Sequence, residues 1–224
     1  MNKPKIDVHI LHLPSTDTAL WEECLHSLEE EPIQLHLTKG VPGHIGKARY
    51  AGFRKGSLPY ISCVDPDDVV IPGAFHACLE ALEENQDACG AYTDEQIIDY
   101  SGKVLKPGLW SHLPWNPLLQ LEPKYLHHIF VMRRCFAEKY YLELLRWPSM
   151  PEYILKCLIT AHGPWLHVNR FGYKWRIGSE ASHNKMTLMT IYAARWRVIP
   201  VLQMAAEKYG ASICADPLNS KEIP

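Results

Sequence analysis

A chain of 224 residues is long enough for one sizeable domain with a real core, and its composition is that of an ordinary globular protein without internal repeats or low-complexity tracts. No apolar run is long enough to cross a bilayer and the N-terminus lacks a basic-then-apolar leader pattern, so the expectation is a cytoplasmic protein with no transmembrane segment. The net charge of −2 conceals an asymmetry: residues 1–123 hold 9 Lys and Arg against 18 Asp and Glu, whereas residues 124–200 hold 12 against 4. This pattern reads either as solvated helix faces or as a second half that meets something anionic.

In chain order, residues 6–13 alternate and predict a first strand. Pro14-Ser15-Thr16-Asp17 is turn and helix-cap chemistry, followed by an amphipathic helix over 18–30. Residues 33–38 predict a second strand, the glycine-rich stretch 39–46 a loop, and 47–56 a helix. Residues 60–64 form an apolar third strand. Pro72 to Asn85 predicts a clean helix and 88–92 a strand, so the alternation argues for an α/β domain with a largely parallel sheet.

From residue 93 the character changes. Residues 94–104 read as a hairpin, and the Pro-, Trp- and Leu-rich stretch 107–123 as a long loop or lid. Residues 128–133 read as a strand and 134–145 as a helix. Residues 151–163 form a further helix, 165–177 are β-like, and 184–209 are helical with a kink or break expected at Pro200. The tail beyond Asp216 is expected to fray. The seven cysteines, an odd count with no Cys-x-x-Cys pair, read as reduced core thiols.

The chemistry concentrates in Asp65-Pro66-Asp67-Asp68, where the third strand ends in three carboxylates within four residues. Carboxylates this close repel one another unless a cation or a hydrogen-bond network holds them. The same tetrad is also turn and helix-start chemistry, with Asp68 placed to cap the helix near Pro72.

Gly46-Lys47-Ala48-Arg49-Tyr50-Ala51-Gly52-Phe53, followed by Leu58-Pro59-Tyr60-Ile61-Ser62-Cys63-Val64 and the tetrad, resembles the core of family 2 glycosyltransferases with the GT-A fold. Tyr92-Thr93-Asp94 with Asp99-Tyr100-Ser101-Gly102-Lys103 is similar to the hairpin that follows in many members. Phe130 to Phe136, Pro151 to Leu155 and Tyr173 to His183 continue the likeness over roughly residues 5–183. That range is the expected GT-A domain, with 184–224 a C-terminal helical segment and tail packed on it.

The resemblance implies transfer of a sugar from a nucleotide-diphospho-sugar donor to an acceptor hydroxyl, with inversion. It implies Mn²⁺ or Mg²⁺ at Asp67 and Asp65, with His183 as a further ligand, and Glu152 as general base. Donor contacts would come from Pro14, Ser15, Arg49, Asp65 and Arg176. A cation bridging the diphosphate would stabilise the charge that develops on the leaving group. The acceptor would be a glycan, a lipid-linked sugar or a modified DNA base. Similar small enzymes occur in viruses that sugar-coat their DNA, in which case the cytoplasm is the host's.

Two departures keep alternatives open. Tyr153 stands where the family places a second acid after Glu152, and Leu37-Thr38-Lys39-Gly40 lacks the carboxylate that reads the nucleobase. A catalytically degenerate GT-A protein that binds a nucleotide sugar is one alternative, and a nucleotidyltransferase is another. Trp110, Trp115, Trp147, Tyr140 and Tyr141 would either line an acceptor cleft or pack in the core.

Overall fold

The structure, a computed structural model, describes residues 3–178 and 187–209. His183, the start of the last predicted helix and the tail beyond Asp216 lie outside them.

Strands β1 (Ile6–His12), β2 (Ile33–Lys39) and β3 (Tyr60–Val64) alternate with helices α1 (Thr18–His26) and α2 (Ile45–Phe53). A short β4 (Val69–Val70) precedes α3 (Ala74–Glu84), and β5 (Gly90–Ile98) turns into β6 (Val104–Pro107). The second half adds β7 (Phe130–Arg133), short helices α4 (Arg134–Ala137) and α5 (Tyr141–Leu144), then α6 (Pro151–Ile159), β8 (Trp165–Arg176) and α7 (Leu188–Tyr209). The eight strands form one sheet in the order β2-β1-β3-β7-β5-β8-β4, with β6 on β5. β1–β2, β1–β3 and β5–β8 are parallel, while β7 runs antiparallel to both β3 and β5. The longest ladders are parallel, as expected, and the short pairings of β7, β6 and β4 add antiparallel neighbours. The extended run Phe130–Arg133 enters between β3 and β5 from the opposite direction.

Period-two alternation splits the core between the two faces of the sheet. Ile6, Val8, Ile10, Tyr60 and Val64 pack with Phe75, Cys78 and Leu82 of α3. Ile61 and Cys63 face the other way, with Phe53 of α2 and Leu155 of α6. A third cluster joins Tyr153, Ile154 and Cys157 of α6 to Ala194, Val198 and Leu202 of α7. The cysteines among the described residues are free thiols, and Cys24, Cys63, Cys78, Cys89 and Cys157 are buried. Helix α7 runs through Pro200 as one element, so of the kink or break expected there the break does not occur. The predicted helix 134–145 is instead broken into α4, a 3₁₀ turn and α5.

Helix α3 opens at Ala74 rather than Pro72, and its cap is not Asp68. The Glu31 carboxylate accepts from the amides of Gly73 (2.5 Å) and Phe75 (3.2 Å), satisfying donors that an uncapped first turn leaves open. Asp68 is free for another task.

Candidate active site

In a parallel α/β unit, ligand sites form outside the carboxyl ends of the strands. Here those ends carry the exposed Pro14-Ser15 turn after β1, Lys39 and Gly40 after β2, and Asp65 after β3. Asp17 caps α1, accepting from Ala19 N (2.9 Å) and Leu20 N (3.2 Å), and its second oxygen accepts from Tyr100 Oη (2.8 Å). The β5–β6 hairpin is thereby fastened beside the Pro14-Ser15 turn.

Helix α2 is placed by a close backbone approach. Gly46 N donates to Trp147 O (3.2 Å) and Ile45 N to Pro148 O (2.8 Å), and a Cβ on residue 46 would strike the carbonyls of Leu144 and Trp147. Only glycine permits this contact, which sets the first turn of α2 against the segment leading into α6. α6 starts with Pro151 at its first position and Glu152 in its first turn, where the missing amide and the negative charge are both favoured.

Arg49 of α2 consequently reaches both halves of the site. It is buried, and it donates through Nε to Glu152 Oε1, through Nη1 to His9 O (3.2 Å) and through Nη2 to Asp65 Oδ1 (3.0 Å). Tyr153 points elsewhere: its hydroxyl donates to Leu121 O (3.3 Å) and its ring packs in the α6–α7 cluster. Of the two neighbours, Glu152 alone joins Arg49 and Asp65.

The tetrad divides its roles. Asp68 is buried and accepts from Tyr173 Oη (2.8 Å) and Arg176 N (2.7 Å). It ties the turn to β8, and is neither helix cap nor cleft ligand. Burial, reinforced by the adjacent Asp67 and Asp65 charges, pushes its carboxyl well up from the ordinary value. Arg176 is also buried, and its guanidinium is committed to protein: Nε to Asp67 O (2.7 Å), Nη1 to Asp99 O (3.2 Å) and Tyr100 O (2.8 Å), and Nη2 to Glu23 Oε2 (2.6 Å). It locks the tetrad to the β5–β6 hairpin and to α1. Asp65 and Asp67 are half-buried at the carboxyl end of β3. Enclosure by protein raises the Asp65 carboxyl, opposed by Arg49 and assisted by Glu152 and Asp67.

Beyond Asp65 a small cavity opens under the 108–125 loop, lined among others by Tyr92, Asp94, Glu95, Trp110, His127 and His128. His127 Nδ1 pairs with Glu95 Oε2 (2.8 Å), and His167 Nε2 with Asp94 Oδ1 (2.8 Å). His128 stacks on Tyr173 (4.9 Å between ring centres) with its Nε2 3.7 Å from Asp65 Oδ2, too far for a hydrogen bond. Burial holds the His128 imidazole well below its ordinary pKa, hence neutral, and the His127, Lys156 and Arg49 charges act in the same direction. The buried Lys156 ammonium donates to the carbonyls of Leu126 and His127 (3.1 Å for the latter), which fixes the segment that carries both histidines. A His-His pair beside a strand carries no signal in the sequence that it will end against Asp65. Trp110 lines the cavity and packs against the same cluster as Trp115, Tyr140 and Tyr141, Trp147 packs in the third cluster, and Tyr141 also lines a second cavity with Phe53 and Arg134.

A divalent cation fits the chemistry of the pair Asp65 and Asp67, two hard oxygen donors beside a cleft. Among the described residues, no group of three or more His, Cys, Asp or Glu side chains is arranged to hold a metal. Two carboxylates suit Mg²⁺ or Mn²⁺ only when substrate phosphate and water complete the sphere.

The model of Glycosyl transferase family 2 matches residues 21–143, more than half of the chain. The chain belongs to this family. The solved structure of S. aureus TarS residues 1–349 in complex with UDP-GlcNAc superposes with a TM-score of 0.66 at 10% identity, over 96% of this chain and 74% of that one. The same fragment in complex with UDP gives 0.61 at 11% identity, with 96% and 73% covered. A further S. aureus TarS structure gives 0.60 at 11% identity, and this chain spans 44% of it. At such identities the likeness establishes the GT-A fold. No curated protein matches the chain. Membership of a glycosyltransferase family decides against the nucleotidyltransferase alternative.

Proposed function

We propose that this glycosyltransferase moves a sugar from a nucleoside-diphosphate-sugar donor to an acceptor hydroxyl with inversion, using Glu152 as general base and Asp65 with Asp67 to hold the cation of the donor diphosphate. The observation that carries the reading is Arg49, whose single guanidinium holds the Glu152 carboxylate and the Asp65 carboxylate together. The UDP-GlcNAc bound to S. aureus TarS supports a uridine-diphosphate sugar as the first donor to test.

In this mechanism the nucleotide lies along the carboxyl ends of β1 to β3, from Pro14 and Ser15 to Asp65. The cation, when bound, neutralises charge on the leaving diphosphate. Glu152 takes the proton of the acceptor hydroxyl as the oxygen–sugar bond forms and the sugar–phosphate bond breaks. Arg49 keeps the base oriented toward the acceptor hydroxyl, and the 108–125 loop with Trp110 excludes water. Arg176 and Asp68 act as positioning residues, holding the tetrad in place without touching the donor. His183 stays a candidate ligand outside the described residues.

The candidate acceptors are a glycan, a lipid-linked sugar and a modified DNA base. A DNA acceptor draws less support than the charge asymmetry alone gives it, because Arg133, Arg134, Lys156 and Arg176 are committed to internal carbonyls and carboxylates, which leaves exposed cations such as Lys124, Lys139, Arg146 and Arg170 to meet phosphate. Acceptor binding measured over a salt series tests this: steep weakening with salt would restore the nucleic-acid reading. Donor hydrolysis and thermal shift with Mn²⁺ and a panel of nucleotide sugars test the proposal as a whole. A response to donor without turnover would favour the degenerate binding protein, and no response to any donor would overturn both.

A further inference from the structure

A regular strand sends neighbouring side chains to opposite faces of its sheet. On β5 the consecutive acids Asp94 and Glu95 nevertheless line one cavity. The cause lies in the ladder with β8, whose register shifts between Thr93 and Asp94 and again between Asp94 and Glu95. Irregularities of this kind re-aim side chains beside active sites. Residues 108–112 then close over the pair as a strap. Gly108 N donates to Glu95 O (2.8 Å), Ser111 Oγ to the same carbonyl (3.0 Å), and His112 N to Asp94 Oδ1 (2.8 Å). A Cβ on residue 108 would come within 2.5 Å of Glu95 Cγ, so glycine is what lets the strap lie this close.

The two acids are not equally engaged. Both oxygens of Asp94 have neighbours: Oδ1 also pairs with His167 Nε2 (2.8 Å), and Oδ2 lies 2.9 Å from His112 Nδ1. Glu95 is buried and pairs through Oε2 with His127 Nδ1 (2.8 Å), while its Oε1 has no hydrogen-bond partner among the described residues. Lys124 lines the same cavity. Its ammonium sits over the Trp175 ring, 4.3 Å from the centre, and forms no ion pair with a carboxylate among the described residues. An acceptor and a donor that share a cavity without pairing suit a group that both donates and accepts, which a hydroxyl does. The cavity is about 10 Å³, room for one hydroxyl and not for a ring. Half-buried Trp110 on its wall offers apolar surface to the C–H groups of a ring that stays outside.

We propose that this cavity reads one hydroxyl of the donor's sugar, with Glu95 accepting from it and Lys124 donating to it. The inference rests on the nucleotide-sugar reading above and adds the residues that choose the sugar. In such a donor the sugar is bonded directly to the diphosphate. His128 links the two places, since it lines the cavity and its Nε2 lies 3.7 Å from Asp65 Oδ2. A sugar that lacks the hydroxyl, or carries an acetamido group in its place, leaves Glu95 and Lys124 without their partner and is rejected.

The test is calorimetric titration of the full chain, in Mn²⁺, with UDP, GDP and TDP, each alone and as its glucose ester, together with UDP-galactose and UDP-N-acetylglucosamine. The expected result is that one ester binds more tightly than its bare nucleotide. Glu95→Gln and Lys124→Met should each weaken that ester by about 10- to 100-fold and leave the bare nucleotide unchanged. Lys124 is exposed, and a Met stem still covers Trp175, so Lys124→Met keeps the fold and decides the matter if Glu95→Gln does not fold. Esters that all bind no tighter than their bare nucleotides would overturn the proposal and leave the donor reading standing. So would an ester untouched by both substitutions, or equal weakening of ester and nucleotide, which would make the two residues structural. No binding of any nucleotide would overturn the donor reading and this inference with it.

Discussion

Arg49 Nε donates to the Glu152 carboxylate across 103 positions of sequence, from one helix to the first turn of another. The pairing defines what each residue can do. Glu152 is held by one of its oxygens and keeps the other for the cleft, while the opposite end of the guanidinium fixes Asp65.

If Glu152 is the base, Glu152→Gln should lower turnover by about 10²- to 10⁴-fold. Gln still accepts from Arg49 Nε, so donor-dependent thermal shift should persist. Turnover at the unaltered rate would remove Glu152 from the mechanism.

Arg49→Lys keeps the charge but loses the fork that reaches His9 O, Glu152 and Asp65 together. A misplaced base costs on the order of 100-fold in rate, so kcat should fall by about that much with a smaller change in donor KM. A pure loss of donor affinity at constant kcat would mean that Arg49 serves the nucleotide and not the base.

The GT-A fold and the order of its motifs were legible in the sequence because strand alternation, the tetrad after β3 and the Pro151-Glu152 helix start are local signals. Asp65, Arg49 and Glu152 could be singled out by resemblance. Their joining by one guanidinium could not, because it depends on Gly46 packing α2 against carbonyls nearly 100 positions away. The capping of α3 by Glu31 and the internal role of Arg176 were equally illegible. Both are long-range partnerships: Glu31 looks, locally, like a solvated charge, and Arg176 by resemblance like a donor contact. The antiparallel entry of β7 was missed for the same reason: strand direction is set by the connection, and not by the apolar pattern of Phe130–Arg133.

With two carboxylates at the cleft and no third ligand among the described residues, the metal should bind only with the diphosphate. Mn²⁺ alone should leave the melting temperature unchanged, whereas Mn²⁺ with UDP should raise it, by ligand linkage. Asp67→Asn should abolish the metal-dependent part of the rise. A shift with Mn²⁺ alone would show a complete protein site that this geometry does not contain.

Arg176→Met should destabilise the fold by about 3 kcal/mol, because the carbonyls of Asp67, Asp99 and Tyr100 lose their donor inside the protein. Urea unfolding measures the loss. Saturating Mn²⁺ and UDP should restore part of it, since both ends of the clamp border the donor cleft. An unchanged midpoint would mean that the hairpin and the tetrad hold each other without Arg176.

His9 provides an acid-sensitive element beneath the site. It is fully buried on β1, stacked on His36 (4.9 Å) and edge-on to Phe53 (5.4 Å), and neither ring nitrogen has a hydrogen-bond partner among the described residues. Burial, aided by the His36, Arg49, Arg134 and Lys55 charges, lowers its pKa to about 2. The unfolded chain therefore binds a proton at this position below about pH 6.5, and the folded protein binds it only near pH 2. Stability is lost as pH falls through that window, by about 2 kcal/mol at pH 5 from this group alone. His9→Phe, which forfeits no hydrogen bond and keeps the stacking partner, should be close to neutral at pH 7.5 and should flatten the fall in stability between pH 7 and pH 5. Denaturant midpoints of the two proteins over that range decide the matter: parallel pH profiles would place the acid sensitivity elsewhere in the fold.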